Sequence, residues 1–164
     1  MKSFKTIVLL ITLLCFCPSA EAQKPTLSPT QTIDSLLNEW HKNAADADMA
    51  YFDKIADDGI YIGTAEEERW TKQEFLDYSE KYFLRGEAWD FKPTERNITF
   101  STDGSVAWFD ELLDTWMGVC RGSGVLELQN GKWEIMHYHL SVPIPNEIIN
   151  QVVKEIETAE EKQP

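Results

Sequence analysis

The chain has 164 residues, 43% of them hydrophobic and 26% charged, with a formal net charge of −13. That length suits one domain able to bury a core without covalent staples, and the acidity repels phosphate backbones and anionic lipid, so nucleic acid is not an expected partner. Two of the three cysteines, Cys15 and Cys17, fall within the N-terminal 22 residues, which leaves Cys120 alone and no intramolecular disulfide expected in the folded part.

Residues 1–22 carry the three parts of a secretory signal: Lys2 and Lys5, an apolar run from Ile7 to Phe16, and Pro18-Ser-Ala-Glu-Ala22 with small residues where cleavage requires them. Cleavage is expected after Ala22, with export to the periplasm or the medium. The run is too short to span a bilayer, which takes roughly 20 apolar residues, and neither cysteine has the small residue before it that a lipid anchor prefers. Residues 23–31 hold two prolines and no periodicity, and read as a tether.

The domain is expected over residues 32–145. Ile33, Leu36, Leu37 and Trp40 are spaced as one face of a helix ending near Ala45, and a second short helix near Asp48 to Ile55 can bury Met49, Phe52 and Ile55. Asp57-Asp58-Gly59 is turn chemistry, with a short strand at Ile60 to Ile62 behind it. Thr71 and Glu74 form a capping box for a third helix, with Phe75, Leu76, Ser79, Tyr82 and Phe83 on one side and Arg85-Gly86 at its end. From Ala88 the period falls to two, and four strands are expected near 88–100, 105–117, 119–129 and 132–142. Thr102 to Ser105 and Asn130-Gly131 are hairpin turns, the second of type I′. The charged tail, residues 146–164, contains a helix near Glu147 to Glu157 with Ile148, Ile149, Val152, Val153 and Ile156 along one side. The predicted class is α+β, with helices on one face of a curved antiparallel sheet.

Several features stand in a recognisable order: a strand followed by Gly63-Thr64 and Trp70, then Val106-Ala-Trp108, then an Asn130-Gly-Lys-Trp hairpin leading to His137-Tyr-His-Leu-Ser141. Over Thr32 to Pro145 the chain resembles the SnoaL-like branch of the NTF2-like superfamily. Its last strand is similar to the association domain of calcium/calmodulin-dependent protein kinase II. The resemblance implies a cone: a bent sheet wrapped around the helices, a pocket inside, and homodimers formed through the sheet. Cyclases, isomerases, dehydratases, transport factors and assembly hubs share that cone, so function rests on the pocket residues.

Strand parity groups His137 and His139 with Trp133, Ile135 and Ser141, leaving Glu134, Met136, Tyr138 and Leu140 on the other face. The histidines are either a structural pair or pocket-lining groups. A metal needs a third ligand, which no motif supplies, so neither metal nor cofactor is expected. Trp108, Asp110, Leu112, Asp114 and Trp116 share one face of their strand, with Phe109, Glu111, Leu113 and Thr115 on the other. An inward Asp110 would be a proton carrier; an outward one would be an exposed or arginine-paired carboxylate. Arg121 is its candidate partner, or a ligand's. Gly122-Ser-Gly124 lacks the setting of a nucleophile elbow and reads as a bulge. The aromatic surplus points to an aromatic-lined pocket or an aromatic dimer face; for a pocket, Tyr51, Tyr61, Trp70 and Trp108 beside Arg121, His137 and His139 are the ligand-binding candidates.

Two departures from the relatives matter. Leu140 stands where the hub domains can carry an arginine, and the Asp/Tyr arrangement of ketosteroid isomerases is absent at equivalent spacing. The leading expectation is therefore an exported homodimer that binds a small, partly apolar organic molecule. The alternatives are an acid/base enzyme, with Asp110 and His139 moving protons and Arg121 or Tyr61 holding an oxyanion, and an assembly module.

Overall fold

The computed structural model describes residues 27–162; the expected signal segment and residues 23–26 of the tether lie outside them. The first helix, α1 (Pro29–Ala45), begins earlier than periodicity alone predicts. Ser28 Oγ accepts from the Gln31 amide at 3.2 Å while Gln31 Oε1 accepts from the Ser28 amide at 2.9 Å, a complete capping box. Pro29 occupies the first helical position, where a missing N–H costs nothing, so a residue expected to break structure opens the helix instead. Ile33, Leu37, Trp40 and Ala44 are buried on its inner face. Ala47, at φ 52°, turns the chain into a 3₁₀ helix at Met49–Lys54, which buries Tyr51 and Phe52 and leaves Met49 exposed.

Strand β1 (Ile55–Ile62) takes in the expected Asp57-Asp58-Gly59 turn as a bulge. Ile55 faces Ile135 and Ile60 faces His137, so three extra residues are accommodated against the neighbouring strand. A side chain at Gly59 would meet Ile55 Cγ2 at 2.8 Å and the Ile135 carbonyl at 2.9 Å, which explains the glycine. After β2 (Arg69–Thr71), α2 (Lys72–Leu84) starts at the predicted capping box. Thr71 Oγ1 accepts from the Glu74 amide and Glu74 Oε2 from the Thr71 amide, at 3.3 and 2.8 Å. The helix closes in a Schellman motif: Glu87 N–H bonds the Tyr82 carbonyl, Gly86 N–H bonds that of Phe83, and Gly86 sits at φ 73°.

The remaining strands are β3 (Lys92–Phe100), β4 (Val106–Thr115), β5 (Gly118–Gln129) and β6 (Lys132–Ser141). Asn130 at φ 51° and Gly131 at φ 81° form the expected type I′ turn between β5 and β6. The curved, unclosed sheet runs β2-β1-β6-β5-β4-β3. Every pair is antiparallel except β1 with β6, which is parallel and joins the first half of the domain to its last strand.

The inner sheet face packs Ala107, Phe109, Leu113, Cys120, Leu126, Ile135, Tyr138 and Leu140 against α1, α2 and the 3₁₀ helix. After a short 3₁₀ turn at Asn146–Ile148, helix α3 (Ile149–Glu160) ends the described chain and buries nothing: Ile149, Val153 and Ile156 are exposed.

Candidate functional site

The strongest candidate is a cleft of about 290 Å³ at one end of the cone. Four pieces of backbone build it. The end of β1 supplies Tyr61, and the tight turn after it is held by Glu68, whose Oε2 accepts from the Thr64 and Ala65 amides at 2.8 and 3.2 Å. Gly63 leaves room for that carboxylate, since any Cβ there would collide with it. Strand β2 supplies Trp70, and α2 supplies Phe75, Tyr78 and Tyr82. The Schellman motif aims Glu87, Ala88 and Trp89 back across the opening. On the far side Trp116, 84% exposed, stands on the β4–β5 turn. Thr115 Oγ1 braces this turn, accepting from the Met117 amide at 3.0 Å and donating to the Gly118 carbonyl at 2.9 Å.

One wall is a run of parallel rings. Tyr61 stacks on Phe75 at 3.9 Å between centroids, Phe75 on Trp70 at 5.5 Å, and Trp70 on Tyr78 at 4.8 Å. Burial, and after it the negative charge of Glu68, pushes the Tyr61 phenol well above its ordinary range. Burial does the same to Tyr51. Both phenols stay protonated at neutral pH.

Of the residues expected to form a pocket, Tyr61 and Trp70 line this cleft. Tyr51 lies one layer deeper, 1% exposed, between Trp40 at 4.9 Å and Trp89 at 5.5 Å. Trp108, Asp110, Arg121, His137 and His139 sit on the outer face of the sheet, away from the helices. Asp110 is exposed and accepts from Asn97 Nδ2 at 3.2 Å; its neighbour across β5 is Ser123, and beyond it His139. Asp110 and His139 thus share a face, but that face is not the cleft. Arg121 stands opposite Leu112 and Ser141, with no ion pair to Asp110 among the described residues.

The parity assigned to β6 is corrected by a bulge. Leu126 faces Ile135 and Val125 faces His137, so Met136 is one residue too many for β5. Ile135 and Tyr138 consequently both point inward, each 1% exposed, and the histidines turn outward. His137 is partly buried there, and burial, with His139 beside it, lowers its pKa. Gly124 borders this irregularity; a side chain on it would meet the His137 carbonyl at 2.6 Å.

A buried polar cluster went unpredicted. Glu111 points inward from β4 with its side chain fully buried. Its Oε1 accepts from His41 Nε2 at 2.8 Å and from the Tyr138 hydroxyl at 3.3 Å, and its Oε2 accepts from Arg96 Nε at 2.9 Å. Arg96 Nη1 continues to Asp34 Oδ1 and Asn38 Oδ1 at 2.7 and 2.8 Å. Arg96 Nη2 lies 2.7 Å from the Glu111 carboxylate, as an ion contact poorly aligned for a hydrogen bond. Burial alone would raise the Glu111 pKa; the hydrogen bond and charge of His41 with the charge of Arg96 outweigh it and hold the carboxyl below its ordinary range. None of these residues lines the cleft, and the cluster ties α1 to β3 and β4. Its one visible signal was a glutamate in the apolar phase of β4, between Phe109 and Leu113. Among the described residues no three His, Cys, Asp or Glu side chains converge as a metal site would require.

The family model described as SnoaL-like domain matches residues 33–145. Among solved structures, an NTF2-like protein from Pseudomonas putida is 19% identical with a TM-score of 0.59, covering 71% of this chain and 87% of its own. A protein from Xanthomonas campestris, provisionally assigned as a calcium/calmodulin-dependent protein kinase II association domain, is 21% identical with a TM-score of 0.54, covering 76% and 94%. One from Parabacteroides distasonis, provisionally assigned as a ketosteroid isomerase, is 20% identical with a TM-score of 0.57, covering 70% and 88%. At these identities the likeness shows the fold alone. A comparison with curated proteins finds no match.

Proposed function

The chain belongs to the SnoaL-like family, and on that basis we propose that it is an exported, homodimeric domain that holds a small, partly apolar organic molecule in its aromatic cleft. The observation that carries this reading is the stack Tyr61–Phe75–Trp70–Tyr78 bordering a cleft of about 290 Å³, with Thr64, Glu68 and Glu87 as the non-aromatic polar side chains on its lining. A largely pre-formed apolar cleft with few polar groups is the usual form of a small-molecule site. The three-part N-terminal segment supports export. Exposed Trp108 and half-buried Leu112 and Val125 on the outer sheet face support a dimer through that face.

The acid/base alternative loses its proposed pair, because Asp110 and His139 face away from the cleft. The test is a thermal-shift screen of amphiphilic aromatic and alicyclic compounds, followed by titration of each hit into Trp70→Ala. We expect hits whose affinity drops at least tenfold in the variant. A screen without hits, or hits indifferent to Trp70, would remove the reading.

A further inference from the structure

We infer that the occupant of the cleft is an organic cation: a protonated amine or quaternary ammonium group carried on a small apolar body. This inference rests on the cleft being a ligand site, and adds the sign of the ligand's charge.

Three observations converge on it. First, among the described residues the only ionisable acids and bases on the lining, tyrosines apart, are Glu68 and Glu87, and neither pairs with a lysine, arginine or histidine there. Glu68 commits Oε2 to two backbone amides, and Oε1 accepts no hydrogen bond among the described residues, so the carboxylate is oriented and half available. Second, the outer tyrosines of the lining hold cations over their ring faces, whose negative quadrupole attracts a cation and repels an anion, while the faces inside the Tyr61–Phe75–Trp70–Tyr78 stack are taken by neighbouring rings. The outer edge of the site already shows this attraction. Lys81 Nζ lies 5.2 and 4.9 Å from the ring centres of Tyr78 and Tyr82, and Arg85 Cζ lies 5.2 Å from Tyr82, while neither cation lines the cleft. Third, the chain's net charge of −13 favours the approach of cations over anions. A carboxylate or phosphate ligand would find no positive side chain on the lining to meet it.

The experiment uses three probes of nearly one shape and different charge: choline, 3,3-dimethylbutan-1-ol and 3,3-dimethylbutanoate. Each is titrated into the protein at low and at 0.5 M salt, with tryptophan fluorescence and calorimetry as readouts. Choline is expected to bind at least tenfold more tightly than the alcohol, and the acid more weakly than either. The gap between choline and the alcohol should narrow in Glu68→Gln, which keeps an acceptor for the turn amides, and in Glu87→Gln, and should shrink with salt. Equal or tighter binding of the alcohol or the acid overturns the charge preference and leaves the cleft as a ligand site. Failure of all three probes, alongside hits of other charge in the screen above, likewise overturns the cation and spares the cleft; failure of every compound removes both.

Discussion

Glu111 carries a carboxylate into the core of the cone, where His41, Tyr138 and Arg96 donate hydrogen bonds to it. Alternation along β4 divides its residues correctly into two faces, but an acid among aromatics draws attention to Asp110, and the division does not say which face is inside. The core answers through neighbours distant in sequence: His41 on α1 and Arg96 on β3 make an inward glutamate tolerable and an inward Asp110 unnecessary. Gly122 belongs to the same solution, because a side chain there would strike the Tyr138 hydroxyl and come within 3.0 Å of Glu111 Oε1. Breaking one partner out of a buried ion pair costs about 3–5 kcal/mol, so Glu111→Gln should lower stability by about 3 kcal/mol at pH 7. The folded carboxyl titrates below its ordinary range. Its contribution is thus complete above the unfolded value of roughly 4.3 and is lost as pH falls through the lower folded value. Urea unfolding from pH 7 to pH 3 should show the wild type and Glu111→Gln converging below about pH 4. A constant difference across that range would contradict this role.

Local chemistry was legible wherever an element is specified by adjacent residues. The capping box of α2, the Gly86 terminus and the Asn130-Gly131 hairpin stand where spacing places them. What escaped was the pair of bulges at Asp57 to Gly59 and at Met136, because an extra residue in a strand is defined only against its partner. The second bulge alone reversed the expected companions of the histidines. Thr71 carries a prediction at this scale. Its hydroxyl caps the helix that provides Phe75, Tyr78 and Tyr82 to the cleft. Thr71→Ala should cost about 1 kcal/mol, read as a fall in melting temperature, with amide exchange faster in the first turn of α2 than in α1. Uniform exchange through both helices would argue against a local effect.

On the scale of the molecule, the described residues leave two apolar surfaces uncovered: the outer sheet face around Trp108, 46% exposed, and the Ile149, Val153, Ile156 stripe of α3. The sheet face bears on the proposed dimer. Light scattering after size exclusion should give twice the chain mass for the wild type and a monomer for Trp108→Glu, since an isologous contact places each such charge against its own copy's surface. A monomeric wild type would end the dimer proposal. The same scale explains why the cleft's composition could be read from aromatic content while its location could not. Its walls come from β1, β2, α2 and two turns far apart along the chain, and only the fold collects them.

That collection also has an order in time. Strand β1 finds its parallel partner only in β6, the last strand to be synthesised, with Ile60 opposite His137. Contacts so distant in sequence close late and slowly. Until then the Ile55–Ile62 segment, with Ile55, Ile60 and Ile62, has only the three-residue β2 to cover one edge. Asp58 puts a negative charge at that waiting edge, and Asp57 another that Lys72 of α2 meets at 2.9 Å; charge on an edge discourages pairing with other chains. The bulge that interrupts the strand thereby also sets carboxylates into a segment whose other side chains are largely apolar.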